Sequence, residues 1–174
     1  GGIAAVSTAK VDERGEKTPG PTIEIMPSHP VDADTDELAD FVSATLGREG
    51  VDDDATLTIT FVSPDAMADL NGEHMGKPGP TDVLSFPIED AVPGHPPVRS
   101  PDGPPLELGD IVVCPEVVAA NAEAHGVAFD DELHLMICHG VLHILGWDHQ
   151  TDAQAHAMEQ REAEHLATIG RVRR

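Results

Sequence analysis

The sequence predicts a single α+β domain: a small mixed four-stranded sheet packed by about five helices, with a histidine-bearing helix at its centre. Three observations carry this. Four short stretches alternate apolar and polar residues or run in β-branched residues, and the segments between them repeat their apolar residues at helical spacing. The strands come early and three helical patterns follow one another at the end of the chain, an order typical of α+β rather than of regular β-α alternation. The 174 residues suffice for one ordinary domain with a real core, and no internal repeat is visible.

Residues 1–20, GGIAAVSTAKVDERGEKTPG, have neither a basic leader nor a sustained apolar core. They are expected to be a flexible tail ahead of a domain spanning 21–170, and not a signal peptide. PTIEIMPS (21–28) alternates and reads as a strand. TDELADFVSATLGREG (35–50) opens on a Thr or Asp cap, places apolar residues at 38, 41, 42 and 46, and ends in glycine, the marks of an amphipathic helix. ATLTITFVS (55–63) alternates strictly and is the clearest strand. Ser63 followed by Pro64 is an N-cap with proline in the first turn, which starts a short helix through about Leu70.

NGEHMGKPGPTD reads as a loop, and VLSFPI (83–88) as a strand that Pro87 restricts to an edge position. The proline-crowded AVPGHPPVRSPDGPP (91–105) is a surface excursion joining two strands. LGDIVVC (108–114) is the fourth strand, and Pro115 opens a helix that Gly126 closes. FDDELHLMICHGVLHILG (129–146) is apolar around most of its circumference, as a buried central helix must be. DAQAHAMEQREAEHLATIG (152–170) is a final amphipathic helix, with Met158, Glu162 and His165 on successive turns.

Thirty-two acids against ten Lys and Arg give a net charge of −22. Between residues 49 and 160 the only cations besides histidine are Lys77 and Arg99. Such a surface repels nucleic acid and anionic membrane, and a polyanionic substrate needs local help to bind. No apolar run approaches the roughly 20 residues that span a bilayer. The two cysteines, Cys114 and Cys138, each sit inside an apolar run; they read as buried free thiols of a reducing, cytoplasmic compartment.

HGVLHILGWDH (139–149) carries three histidines at the spacing of the long zinc-protease signature. Residues i and i+4 share a helix face, so His139 and His143 bring two imidazoles together. Gly146 lets the chain double back, so that His149 becomes a third ligand. Three neutral imidazoles suit Zn²⁺, one per chain, although nickel or copper accept the same donors. Gly140 occupies the position where a zinc protease has its general-base glutamate, which argues against peptide hydrolysis. Asp148, beside a ligand, reads either as a group that orients an imidazole or as a surface acid. His134 lies about 140° round the helix from His139 and faces elsewhere. Lys77 is the cation nearest these motifs, and His74 is a further candidate for a substrate contact.

HGVLHILGWDH resembles the H-G-x-L-H-L-x-G-y-D-H signature of the YbeY family of metal-dependent endoribonucleases, which act in rRNA maturation. LNGEHMGKPGPTDVLSFP (70–87) and LGDIVVC (108–114) are similar to two further blocks of that family, in the same order and over most of the chain. The resemblance implies a zinc ion on His139, His143 and His149, a single α+β domain, and single-stranded RNA as substrate. It brings Thr81, Asp82 and Ser85 into the site; by composition alone the same residues read as a capped turn and a strand serine. It also exposes a departure, because the family often has an arginine where this chain has Met75. Lys77 could replace that grip on phosphate only as a point charge. Base stacking is thinly provided as well, with Trp147 and Phe86 the candidates.

The leading expectation is therefore a single-strand-specific, metal-dependent endoribonuclease of rRNA maturation and ribosome quality control. His139, His143, His149, Ser85 and Asp148 form its catalytic set, with Lys77, Thr81 and Asp82 on the substrate. One alternative is a non-catalytic, metal-stabilised assembly factor that binds ribosomal proteins of the small subunit. Another is a metallohydrolase of a different substrate.

Overall fold

The computed structural model describes residues 7–8 and 20–174. The tail expected at 1–20 thus lies outside the described residues, apart from Ser7, Thr8 and Gly20. The four expected strands all form: β2 (Thr22–Met26), β3 (Thr56–Phe61), β4 (Val83–Pro87) and β5 (Glu107–Val113). A two-residue strand, β1 (Ser7–Thr8), adds to one edge, and the spatial order is β1-β2-β3-β5-β4. The β2, β3 and β5 strands run parallel, while β1 and β4 pair antiparallel at the two edges. Pro87 ends the edge strand β4, where a missing N–H costs the ladder nothing.

Among the described residues five helices cover the sheet: α1 (Thr35–Arg48), α2 (Pro64–Met75), α3 (Pro115–His125), α4 (Phe129–Ile144) and α5 (Asp152–Ala167). Their starts follow local chemistry. Asp34 caps α1 by accepting from the Glu37 N–H, Ser63 caps α2 through the Ala66 N–H, and Thr151 with Gln154 forms a reciprocal capping box on α5. Two helices depart from expectation in length: α5 stops at Ala167, short of Gly170, and α2 runs on. It continues past Leu70 to Met75 because nothing before Gly76 breaks it, and the Asn71 side chain ties its end to the Gly79 carbonyl at 2.9 Å. The extra turn carries Met75 to the rim of the site.

Alternation along the strands divides the core. Leu57, Ile59 and Phe61 of β3 and Ile111 and Val113 of β5 face the main cluster, built with α1 and α4. Val112 points the other way, into a smaller cluster with Met67 of α2 and Leu84 of β4. The α4 helix is central, with buried residues on every turn and packing against β4, β5, α1, α3 and α5. Cys114 and Cys138 are buried and unpaired, and burial holds both thiols above the ordinary cysteine value.

Candidate metal centre

The site is built where α4 ends. His139 and His143 lie one turn apart on α4, and the chain leaves the helix at Gly146 with φ +93°. A Cβ at Gly146 would stand 2.1 Å from the Ala91 carbonyl oxygen, so the turn-back needs glycine both for its backbone angle and for the loop crossing it. Beyond the turn, His149 meets the other two. One ligand nitrogen from each of the three histidines falls within 4.8 Å of the others.

The hydrogen bonds behind the rings decide which nitrogens are free. His143 Nδ1–H donates to the Trp147 carbonyl at 2.8 Å, and His139 Nδ1–H donates to Glu162 Oε2 at 2.8 Å. A carbonyl and a carboxylate only accept, so both rings keep their proton on Nδ1. Their bare Nε2 atoms face each other at 2.9 Å, an approach that repels unless a proton or a metal ion lies between them. Burial, then the neighbouring His139, holds the His143 imidazole below its ordinary value, with the Trp147 carbonyl and Asp148 pulling back. A neutral imidazole is the ligand form. The donor set therefore fits a divalent ion.

These histidines open into a cleft of about 650 Å³ that Met75, Lys77, Thr81, Asp82, Ser85 and Asp148 also line. The expected metal, catalytic and substrate residues are thus brought together, with differing local engagements, whereas His74 does not line the cleft. Asp82 accepts from the Val83 N–H at 2.8 Å and from Asn121 Nδ2 at 3.2 Å, which secures the turn into β4. Ser85 donates to the Gly140 carbonyl at 3.1 Å and so joins β4 to α4. Asp148 accepts from the His149 N–H at 2.8 Å. Among the described residues the Lys77 ammonium carries no ion pair, whereas every arginine has a hydrogen-bond partner.

Gly140 has a packing reason. A Cβ there would meet Ile111 Cγ2 at 3.1 Å and Ser85 Oγ at 3.2 Å, so this face of α4 lies directly on the sheet. A larger side chain there would have to displace that contact. Trp147 and Phe86 do not line the cleft: Trp147 borders the main core and contributes its carbonyl, and Phe86 meets exposed His74 edge-on at 5.0 Å. His134 is buried away from the site, bonded to the Asp130 carbonyl and packed on Phe41.

Sequence reasoning missed two residues here. Glu162, 1% exposed, orients His139, and Arg173 reaches the same carboxylate at 3.0 Å and lines the cleft. Glu162 did leave a signal, an acid on the apolar stripe of α5 between Met158 and Leu166. Arg173 left none, because it follows the last helix and arrives through tertiary folding alone.

The described residues contain no helix long and apolar enough to cross a membrane. The family model described as endoribonuclease YbeY matches residues 27–170. An endoribonuclease YbeY of Salinispora tropica is 41% identical over 149 residues, covering 84% of this chain and 95% of the relative. Another, of Nocardia farcinica, is 43% identical over 128 residues, covering 74% and 69%. The solution structure of TM1509 from Thermotoga maritima matches with a TM-score of 0.53 at 25% identity, covering 84% of this chain and 91% of that one. With the family model spanning residues 27–170 and relatives above 40% identity matched over most of their length, the chain belongs to the YbeY endoribonuclease family.

Proposed function

We propose that this protein is a metal-dependent endoribonuclease that cuts single-stranded RNA in rRNA maturation and ribosome quality control in the cytoplasm. In this reading one zinc ion per chain sits on His139, His143 and His149. The observation that carries it is the convergence of two bare Nε2 atoms and a third imidazole at the floor of a cleft. When bound, such an ion supplies Lewis-acid polarisation of a phosphodiester and acidifies water. The protein's own groups do the rest. Lys77, with no ion pair among the described residues, holds a substrate phosphate as a point charge. Thr81, Asp82 and Ser85 shape the wall along which the strand lies, and Asp148 stands at the floor as a proton acceptor. In this reading the substrate is single-stranded, as the resemblance to the family implies.

The test is to incubate zinc-loaded protein with unstructured and duplex RNA beside His143→Ala. The wild type is expected to cut the unstructured RNA and the variant to leave it intact; equal cutting by both proteins would mean a contaminating nuclease and remove the claim. Metal content by mass spectrometry of wild type and His149→Ala tests the ion separately. The net charge of −22 and Met75 favour a second reading, a metal-stabilised assembly factor for basic ribosomal proteins of the small subunit. Its signature is no RNA product at any metal concentration, with partners lost when surface acids are neutralised. Peptide hydrolysis is disfavoured by the tight contact at Gly140.

A further inference from the structure

We infer that Glu162 and Arg173 act as a positioning pair that locks the His139 ring for the metal; the inference rests on the three-histidine reading of the site. Glu162 enters from α5 almost wholly buried, and its two oxygens are divided between two partners. Oε2 accepts from His139 Nδ1–H at 2.8 Å, and Oε1 accepts from Arg173 Nε–H at 3.0 Å. A carboxylate held at one oxygen can swivel about its last bond. Held at both, it is fixed in its plane, and the imidazole bonded to it cannot turn without breaking that bond. The Nε2 atom of His139 then stays aimed at His143 and His149. Outer partners of this kind fix the tautomer and orientation of a metal-binding histidine.

Arg173 is itself held in place. Its Nη1 donates to the Arg174 carbonyl at 2.9 Å, and its Nη2 lies 3.7 Å from Glu159. Its guanidinium is the cation that faces the buried Glu162 side chain. The next residue provides an internal comparison. Arg174 reaches the two oxygens of buried Glu132 at 2.6 and 3.1 Å, with the same chemistry, but Glu132 touches none of the three histidines. Docking of the segment that follows α5 and positioning of a ligand are thus carried by adjacent arginines.

The test is zinc affinity of the full chain, by competition with a chromophoric chelator, for wild type, Glu162→Ala, Glu162→Gln, Arg173→Ala and Arg174→Ala. Melting temperatures of the metal-free proteins confirm that each variant folds. Zinc affinity is expected to fall about 100-fold for Glu162→Ala and about 10-fold for Glu162→Gln and Arg173→Ala, the span found for outer partners of metal ligands. Arg174→Ala should melt lower yet bind zinc as the wild type does. Wild-type affinity in both Glu162 variants overturns the inference. So does an Arg174→Ala loss equal to that of Arg173→Ala, which would make the effect one of chain docking. A wild type that binds no stoichiometric zinc overturns the histidine site itself, a different and distinguishable failure.

Discussion

Helix α5 takes part in two histidine–glutamate pairs, and each glutamate is also held by an arginine. About one turn apart on this helix, Glu162 supports His139 and is held by Arg173, while His165 donates Nε2–H to Glu49 at 2.7 Å and Arg161 holds the same oxygen at 2.6 Å. The pairs differ in the second ring nitrogen. His165 Nδ1 accepts from Arg48 Nε–H at 3.1 Å, so its ring is fully used and buried. The Nε2 atom of His139 is turned to two further histidines and the cleft. A histidine–carboxylate pair is therefore a structural unit in one place and a ligand mount in the other. The free lone pair separates them.

The largest effect that tests this contrast comes from removing one histidine of each kind. His143→Ala should lose stoichiometric metal and reduce RNA cleavage by more than the roughly 100-fold that loss of an outer partner costs. His165→Ala should keep its metal and lose about 3 kcal/mol of stability, because Glu49 and Arg48 are left without their shared partner. In a chain of this length that lowers the melting temperature by about 6–12 °C. Metal content by mass spectrometry and thermal melts check both. Loss of metal in His165→Ala would erase the distinction between the two pairs.

Next in size is Gly140→Glu, which restores the residue type a zinc protease has at this position. With Ile111 and Ser85 against the missing Cβ, the new carboxylate would be buried without a partner between α4 and the sheet. A loss of several kcal/mol in chemical denaturation is expected, with no casein cleavage. Peptidase activity in a folded variant would show that the glycine marks a vacated catalytic position after all.

The same contrast explains what the sequence could convey. The i, i+4 histidines and Gly146 are local geometry, so the ligand mount was readable from eleven residues. The strands were readable because one face of each is buried, and Pro87 alone pointed to an edge. Partners supplied from a distance were not readable. Glu162 lies 23 residues from His139, and Arg173 follows the last helix, so only packing brings them to the ring. One reading of the Asp148 carboxylate makes it the outer partner of an imidazole because it adjoins one in sequence. In the fold it bonds the His149 N–H, and the carboxylate at His139 Nδ1 comes from α5. The end of α2 was misread for a related reason: its last turn is held by Asn71 reaching Gly79, a contact that polar composition does not announce.

The structural pair also titrates. Burial pushes the Glu49 carboxyl up, but hydrogen bonds from His165 and Arg161 more than reverse this and hold it at about 2, against an ordinary 4.5. A carboxylate whose folded value is depressed contributes stability that is present above its unfolded value and lost as pH falls towards the folded one. That places the loss between about pH 4.5 and 2, with an upper size of about 3 kcal/mol. Wild-type melts followed from pH 6 to 2 should show this fall, and Glu49→Gln should start lower and lose less over the same window. An identical pH dependence in both proteins would mean that other carboxylates carry the acid transition.

The smallest expected effect concerns how the cleft meets an anion. Met75, half exposed, lines the cleft where members of the family often have arginine, and Lys77 is two residues away. Among the described residues the arginines are bonded to acids, carbonyls or side chains of the fold, so the cleft offers substrate little free positive charge against a total of −22. Met75→Arg adds a guanidinium able to hold phosphate in two places. It should tighten binding of a short unstructured RNA by about 3–10-fold at low salt and steepen the dependence of log K on log salt by about one phosphate contact. Lys77→Ala should make that dependence shallower by a similar amount. Fluorescence anisotropy across a salt series reads both slopes. The two changes test whether the acidic surface limits binding or is merely distant: an unchanged slope in both variants would place the phosphate contacts elsewhere, and the metal-binding end of the cleft would have to hold the RNA by itself.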